Sequence, residues 1–430
     1  MGIFRMRRAS RRGVFGSAAI LLTASIVAGC GSTVSGNSTA GEIDVRKLEV
    51  GKYVTEPFDT RATYLHEVLA GKQLATGRLA DAVVTGPDVD AMFGHSVLTD
   101  TLVDPFSSGV LARSVAPVLQ NNKMMFAFSA SASTHPLPDK FISQDFLIYH
   151  PLGGAEANPE ATSFNVTVLQ FPDQQLARTA AEQMEAADFG IAADQNVGVT
   201  LDKQPSVKAH WRPGIPSMSA TMASGQYVVS VFVQQPKPEL EGLKALVEKV
   251  FAAQNPFLER LPPLSDRDVL RLDYDPDGML RRTLHTVDYA DADADDEITR
   301  TPRGYLHYAG DETVWKRLLE DNGVDRISTA RNGALLFRAR DAAGATALWS
   351  GINGITPDSD DKPMGVPGVS CAENPKAKTT RSLKAWNQYS RFVCTLHYDR
   401  YVARVAGSQL ADVHLRAAAQ YALLANSQFM

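Results

Sequence analysis

Phe164-Asn165-Val166-Thr167-Val168-Leu169-Gln170-Phe171, then Asp173 and an amphipathic run to about Asp188, is the stretch from which the fold follows. Eight residues rich in β-branched and aromatic side chains predict a strand. Asp173 is a capping residue type, and Leu176, Ala180 and Met184 recur at helical spacing, so a helix comes next. Val207 to Trp211 predicts a short strand. Ala220-Thr221-Met222 and Tyr227 to Val233 predict a hairpin turned at Ser224-Gly225-Gln226. A helix from Glu239 to Ala253 closes the unit, with Leu240, Leu243, Val247 and Val250 on one stripe.

The same order returns about 170 residues later. Ala334 to Arg340 is the strand, Asp341 the cap, and Leu348 and Ile352 lie on the helix. Gly368 to Cys371 is the short strand. Cys394-Thr395-Leu396 and Tyr401 to Val405 form the hairpin, turned at Asp399-Arg400. Leu410, Val413, Ala417, Tyr421 and Leu424 make the closing stripe. The caps Asp173 and Asp341 are 168 positions apart; Thr221 and Thr395, like Tyr227 and Tyr401, are 174 apart. This repeated β-α-β-β-β-α order predicts an α+β fold of two related domains, each a largely antiparallel sheet with helices packed on one face. The join falls at Leu261-Pro262-Pro263-Leu264, where paired prolines forbid helix and central strand. The expected domains are 44–261 and 264–430. Within the first, Gly77 to Phe93 reads as a helix end, a buried strand or turn and a short helix opened by Pro87-Asp88, and Met124 to Phe128 as a strand.

The 430 residues are 44% hydrophobic, 21% charged and 8% aromatic, with three cysteines. That composition excludes a disordered chain, a disulfide miniprotein, a polytopic membrane protein and an Arg/Lys-rich nucleic-acid binder. The N-terminus carries an address. Arg5, Arg7, Arg8, Arg11 and Arg12 precede a mostly apolar stretch, Val14 to Ala28, too short for a transmembrane helix. It ends in Val27-Ala28-Gly29-Cys30, which resembles a bacterial lipobox: small residues before the cut and a thiol to carry diacylglycerol. Residues 1–29 are therefore expected to be a lipoprotein signal peptide, Cys30 the lipidated residue, and 30–43 a flexible Gly/Ser/Thr-rich tether. Ser10-Arg11-Arg12-Gly13-Val14-Phe15 reads either as a twin-arginine export motif or as a generic basic region. Removing residues 1–29, with five arginines and no acid, takes the formal charge from −5 to −10. A body of that sign is repelled by anionic headgroups, so the lipid alone is expected to hold it to the membrane.

With Cys30 acylated, Cys371 and Cys394 remain, in a compartment that permits disulfides. The repeat places Cys394 on Ala220 and Cys371 on or beside Ala209, the pattern of a bridge between adjacent strands in one copy only. A Cys371–Cys394 disulfide is expected, closing a loop worth on the order of 3 kcal/mol. Two isolated cysteines without CxxC do not by themselves make a metal site.

Asp273-Tyr274-Asp275-Pro276-Asp277-Gly278 matches the start of a calcium loop, but Leu284 stands where the bidentate Glu belongs and Pro276 stiffens the turn. It reads as an aspartate-rich turn. Asp288 to Glu297 holds six acids in ten residues and reads as a solvated loop. Nine histidines show no HExxH or ligand-spaced pair, and no nucleophile elbow, phosphate loop or dinucleotide fingerprint is present. No catalytic residue, metal or cofactor is expected.

The lipobox, the tether, Leu48-Glu49-Val50-Gly51-Lys52-Tyr53, Arg78-Leu79-Ala80-Asp81 and Asp277-Gly278-Met279-Leu280 together resemble an uncharacterised family of actinobacterial cell-envelope lipoproteins. The second half loosely resembles extracellular sensor domains of actinobacterial membrane kinases. The resemblance implies no activity and no catalytic residues. The expected role is a non-enzymatic protein on the outer face of the cell membrane, anchored at Cys30, that binds a lipid, a glycan or a protein partner and no nucleic acid. The alternatives are a transporter-associated solute-binding lipoprotein, disfavoured because such proteins generally have parallel lobes, and an envelope hydrolase without a recognisable motif.

Overall fold

A computed structural model describes residues 43–106, 111–136, 158–286, 292–330, 334–355, 361–373 and 390–428. Asp44–Met430 is one compact unit. Its first half runs α1 (Val68–Ala80), α2 (Gly86–Val89), β1 (His95–Leu102), α3 (Ala116–Asn121), β2 (Phe126–Ser133), β3 (Ser163–Gln170), α4 (Gln174–Phe189), β4 (Val197–Val199), β5 (Lys208–Trp211), β6 (Ser217–Ser224), β7 (Tyr227–Gln234) and α5 (Leu240–Glu259). The second runs α6 (Asp266–Val269), β8 (Ile298–Arg300), α7 (Pro302–Leu306), α8 (Glu312–Asp321), β9 (Arg326–Thr329), β10 (Ala334–Arg338), α9 (Ala342–Ile355), β11 (Val369–Glu373), β12 (Phe392–Tyr398), β13 (Tyr401–Gly407) and α10 (Leu410–Asn426).

Both sheets are antiparallel, in the orders β1-β2-β3-β7-β6-β5-β4 and β8-β9-β10-β13-β12-β11. Strand for strand the second repeats the first, except that β4 has no equivalent among the described residues. The repeat therefore reaches further upstream than the hairpins and helices that announce it in the sequence. Gln170 faces Tyr227 where Arg338 faces Tyr401. Asp173 accepts the Leu176 N–H at 2.8 Å where Asp341 accepts that of Gly344 at 2.7 Å.

The helix ends before β2 and β9 match as well. Asn122 and Asn322 each donate a side-chain N–H to the carbonyl four residues back, at 2.9 and 2.8 Å. Lys123 and Gly323 follow in the left-handed region, φ 57° and 58°. Met124 and Val324 then close the turn onto Leu119 and Leu319, both at 2.9 Å. This is a left-handed helix C-cap used twice.

Helices stand on both faces of the first sheet, not on one. The cause lies in β3, which is apolar along one side and, at its C-terminal end, on the other side as well. Phe164, Val166 and Val168 join Val229, Val231 and Val233 under Leu243, Val247, Val250 and Phe251 of α5. Leu169 and Phe171 point the other way, to Ala177, Ala180 and Met184 of α4. Each face must exclude water, at roughly 25 cal/mol per Å² of apolar surface. In the second half Leu335, Phe337 and Val402 pack with Leu348 and Ile352 of α9.

The halves meet at several places among the described residues, Tyr64 stacking on Tyr274 among them. The chain before α1 reaches α10, where the Tyr53 hydroxyl donates to Asp412 at 2.6 Å and accepts from Arg416 at 3.1 Å. The α1–α2 corner meets the stretch from β8 to α8 in the polar seam described below. Among the described residues no helix is long and apolar enough to cross a membrane.

Candidate functional site

Cys30, the expected lipidation residue, lies outside the described residues. Cys371 and Cys394 are disulfide-bonded, directly opposite one another on β11 and β12. The aspartate-rich turn is built as a turn. Asp275 is fully buried, and its carboxylate accepts the Leu280 and Arg281 N–H groups at 2.9 and 3.3 Å. Asp277 accepts instead from Arg326 and Arg338, at 2.5 and 3.5 Å. Gly278, at φ 63°, supplies the left-handed corner.

Of the acidic run, residues 288–291 lie outside the described residues, and the far end departs from a solvated loop. Glu297 is buried, accepting from the Tyr274 hydroxyl at 2.6 Å and paired with His285 Nδ1 at 2.9 Å. Burial would raise the Glu297 carboxyl, but the bond and charge of His285 outweigh it and hold the group below its ordinary value. Tyr274 is pushed up by burial and by the Glu297 charge.

The polar array that stands out is one the strand pattern contained. Along β2 and β3 three successive cross-strand pairs on one face are polar: Ser129 with Thr167, Ser131 with Asn165, and Ser133 with Ser163. All six residues are buried. The Thr167 hydroxyl donates to Asn165 Oδ1 at 3.1 Å, so the 2.8 Å contact of Ser129 with Thr167 has Ser129 as donor. The Asn165 amide donates to Ser129 and Ser131 at 2.8 and 2.9 Å. Ser131 thus accepts, and its own proton meets no acceptor among the described residues. Ser230 and Phe232 of β7, opposite Thr167 and Asn165 on the same face, are half-buried and flank the array.

The second sheet provides an internal control. Thr167 corresponds to Leu335, which lies in an apolar cluster with Phe337 and Val402. The fold therefore accepts an apolar side chain at the Thr167 position, while Thr329, opposite Leu335, keeps a half-buried hydroxyl at the place of Ser129.

A second concentration of polar groups joins the halves. Gly86 N–H donates to the Glu312 carboxylate at 2.7 Å, Thr301 donates to Asp81 at 2.6 Å, and Arg303 pairs with Asp88. His307 Nε2 lies 3.1 Å from the Ala80 carbonyl. Burial pushes Glu312 up to about 8, aided by Asp88 and Asp311, and pushes His307 down to about 4. Burial also raises Asp81, whereas at Asp88 the Arg303 bond and charge overcome burial and lower the group. Gly86 is required at this seam, because a Cβ there would stand 2.0 Å from the Phe93 carbonyl oxygen. These groups hold one another across a buried contact. Perturbed acids and bases mark catalytic sites in many proteins, but here each has a fixed structural partner.

Fold and site define a duplicated antiparallel α+β protein with a hydroxyl- and amide-lined face on its first sheet. The family model described as Domain of unknown function (DUF7373) N-terminal matches residues 65–274, and its C-terminal companion matches 279–427, so the chain belongs to the DUF7373 family. Among solved structures it is similar to the extracellular domain of PknH from Mycobacterium tuberculosis. The identity is 15% and the TM-score 0.25, over 44% of this chain and 98% of that one. No protein with a curated description matches.

Proposed function

We propose that the protein is a lipid-anchored, extracytoplasmic binding protein with no catalytic role of its own, and that its ligand engages the polar face of β2 and β3. One observation carries this reading: the buried Ser129-Ser131-Asn165-Thr167 network occupies the first copy, while the equivalent of Thr167 in the second is Leu335. Burying polar groups costs free energy that an apolar core avoids, so a buried hydroxyl at a position that takes Leu in the sister copy points to recognition. Hydroxyls and an amide beside a half-exposed Phe suit a polyhydroxylated or amide-bearing ligand such as a glycan fragment, rather than an acyl chain. The anchor rests on the lipobox at Cys30 and the tether behind it.

Native mass spectrometry of the protein taken from its own membrane tests both parts. The lipidated chain is expected to carry a co-purifying mass that is absent from the folded variant Ser129→Ala/Asn165→Leu/Thr167→Val. Cys30→Ser is expected to release the chain from the membrane fraction. A wild-type spectrum with no added mass would sink the small-molecule reading, and a Cys30→Ser chain that stays with the membrane would sink the anchor.

A further inference from the structure

The disulfide does not account for a third residue beside it. His414, in the first turns of α10, brings a ring nitrogen within a cluster in which it and the two cysteine sulfurs all lie within 4.8 Å of one another. Both sulfurs are buried and the histidine half-buried. His414 Nε2 is 3.2 Å from the Asp361 carbonyl oxygen, which can only accept, so Nε2 carries the ring proton and Nδ1 is left with its lone pair. A backbone carbonyl orienting one ring nitrogen while the other, among the described residues, meets no donor is the arrangement metal-binding histidines use.

The sister copy again acts as control. Ala209 and Ala220 face each other as Cys371 and Cys394 do. Helices α5 and α10 begin at Leu240 and Leu410, and Leu243 and Val413 are both fully buried. That register sets Lys244 at the place of His414, where Lys244 pairs with Asp202 and Glu241. Ala, Ala and Lys in one copy are Cys, Cys and His in the other. A bridge needs two of these changes and gives no reason for the third.

We propose that Cys371, Cys394 and His414 form a transition-metal site, for Zn²⁺ or a similar ion, whenever the bridge is reduced. Thiolate and imidazole bind zinc at about 2.3 and 2.0 Å, so the three ligands need only small shifts to converge, and water completes the fourth position. A dithiol reductant supplies two electrons and two protons, the S–S bond breaks to two thiols, and the reductant leaves as its own disulfide. Metal binding then releases both thiol protons and leaves two thiolates against a divalent charge. The metal state belongs to reducing surroundings and the bridged state to oxidising ones. A chain that folds before export, as a twin-arginine reading of Ser10 to Phe15 implies, passes through the first and then the second.

The test uses the full-length chain in detergent, with Cys30→Ser so that two thiols remain, reduced by a phosphine without oxygen and titrated with Co²⁺. The expected result is one Co²⁺ per folded chain with a near-ultraviolet thiolate-to-cobalt band, displaced by Zn²⁺ and absent from the oxidised protein. Cys371→Ser should abolish the band, and His414→Ala should weaken binding at least tenfold. His414→Lys, the sister residue, should fold and also lose affinity. Far-ultraviolet circular dichroism monitors the fold throughout. A folded reduced chain without the band, His414→Ala binding as tightly as the parent, or a reduced chain that unfolds before it takes up metal would each overturn the proposal.

Discussion

Ala209 and Ala220 face each other across β5 and β6 in the register that Cys371 and Cys394 hold across β11 and β12. Each pair also lies under the closing helix of its copy. The shared register makes the first pair a site for an engineered bridge. Ala209→Cys/Ala220→Cys is expected to oxidise spontaneously and to raise the unfolding free energy by about 2 kcal/mol, less than the chain-entropy limit because new bridges strain their surroundings. The native bridge, with 23 residues of sequence separation, should cost on the order of 3 kcal/mol when Cys371→Ala/Cys394→Ala removes it. Urea denaturation with and without reductant measures both. An engineered pair that stays reduced in air would show that the two copies are not equivalent here.

Lys123 provides a second comparison between the copies. It holds φ 57° where Gly323 holds 58°. A residue with a Cβ pays roughly 1 kcal/mol for that conformation, offset in part by the extra freedom glycine has when unfolded. Lys123→Gly should therefore stabilise the protein by about 0.5 kcal/mol, and Gly323→Lys should destabilise it by more, because Arg340 stands 3.1 Å from the missing Cβ. Thermal unfolding of the two variants in opposite directions checks the equivalence of the caps.

The hairpins and capped helices of both copies were legible because each rests on local signals: alternation, an Asp cap and a turn residue. The outer strands of the second copy were not. β8 and β9 are three and four residues long, too short for periodicity, and their pairing is fixed by strands far away in sequence. The cysteine bridge could be read because the repeat set it against two alanines. His414 could not be tied to it, since 20 residues and a change from strand to helix separate it from Cys394. The polar face was present in the alternation Phe126-Ala127-Phe128-Ser129-Ala130-Ser131-Ala132-Ser133, yet serines on a strand normally mean solvent. Their burial comes from tertiary packing, to which the pattern is blind. Glu297 was misread for a related reason: His285 and Tyr274 take up its charge and hydrogen bonds, which a local charge count does not reveal.

The network on that face separates the cost of one deletion from the cost of the whole. Asn165→Ala strands the Thr167 proton and removes the donor to Ser129 and Ser131. An unsatisfied buried group costs about 1–3 kcal/mol. The apolar triple Ser129→Ala/Asn165→Leu/Thr167→Val leaves of the network only the Ser131 hydroxyl unsatisfied, so it should be less destabilised than Asn165→Ala. Chemical denaturation that found the triple far less stable than Asn165→Ala would mean that the network serves stability, and would remove the argument for a ligand on this face.

The seam sets the pH at which the halves hold best, and its two strongest groups act in opposite directions. Glu312 is pushed up to about 8 in the fold from an ordinary 4.5, mainly by burial and also by Asp88 and Asp311. The folded state therefore keeps a proton that the unfolded state gives up. Its contribution is full below about pH 4.5 and is lost as pH rises through about 8. His307 is pushed down to about 4 from 6.5 by burial, with Arg303 opposing its charge and Asp88 favouring it. Its contribution is full above about pH 6.5 and is lost as pH falls through about 4. Each group tilts stability by up to about 1.4 kcal/mol per pH unit. Between about 4.5 and 6.5 the slopes cancel, leaving a plateau, with stability falling toward pH 8 on one side and toward pH 4 on the other. Glu312→Gln keeps an acceptor for the Gly86 N–H and removes the alkaline limb, so it should be the more stable protein at pH 8 and differ little from the parent at pH 5. His307→Gln should flatten the acid limb and leave the alkaline one in place. Urea midpoints across this range decide the matter. An unchanged alkaline limb in Glu312→Gln would show that Glu312 is ionised in the folded seam, held there by the Gly86 N–H.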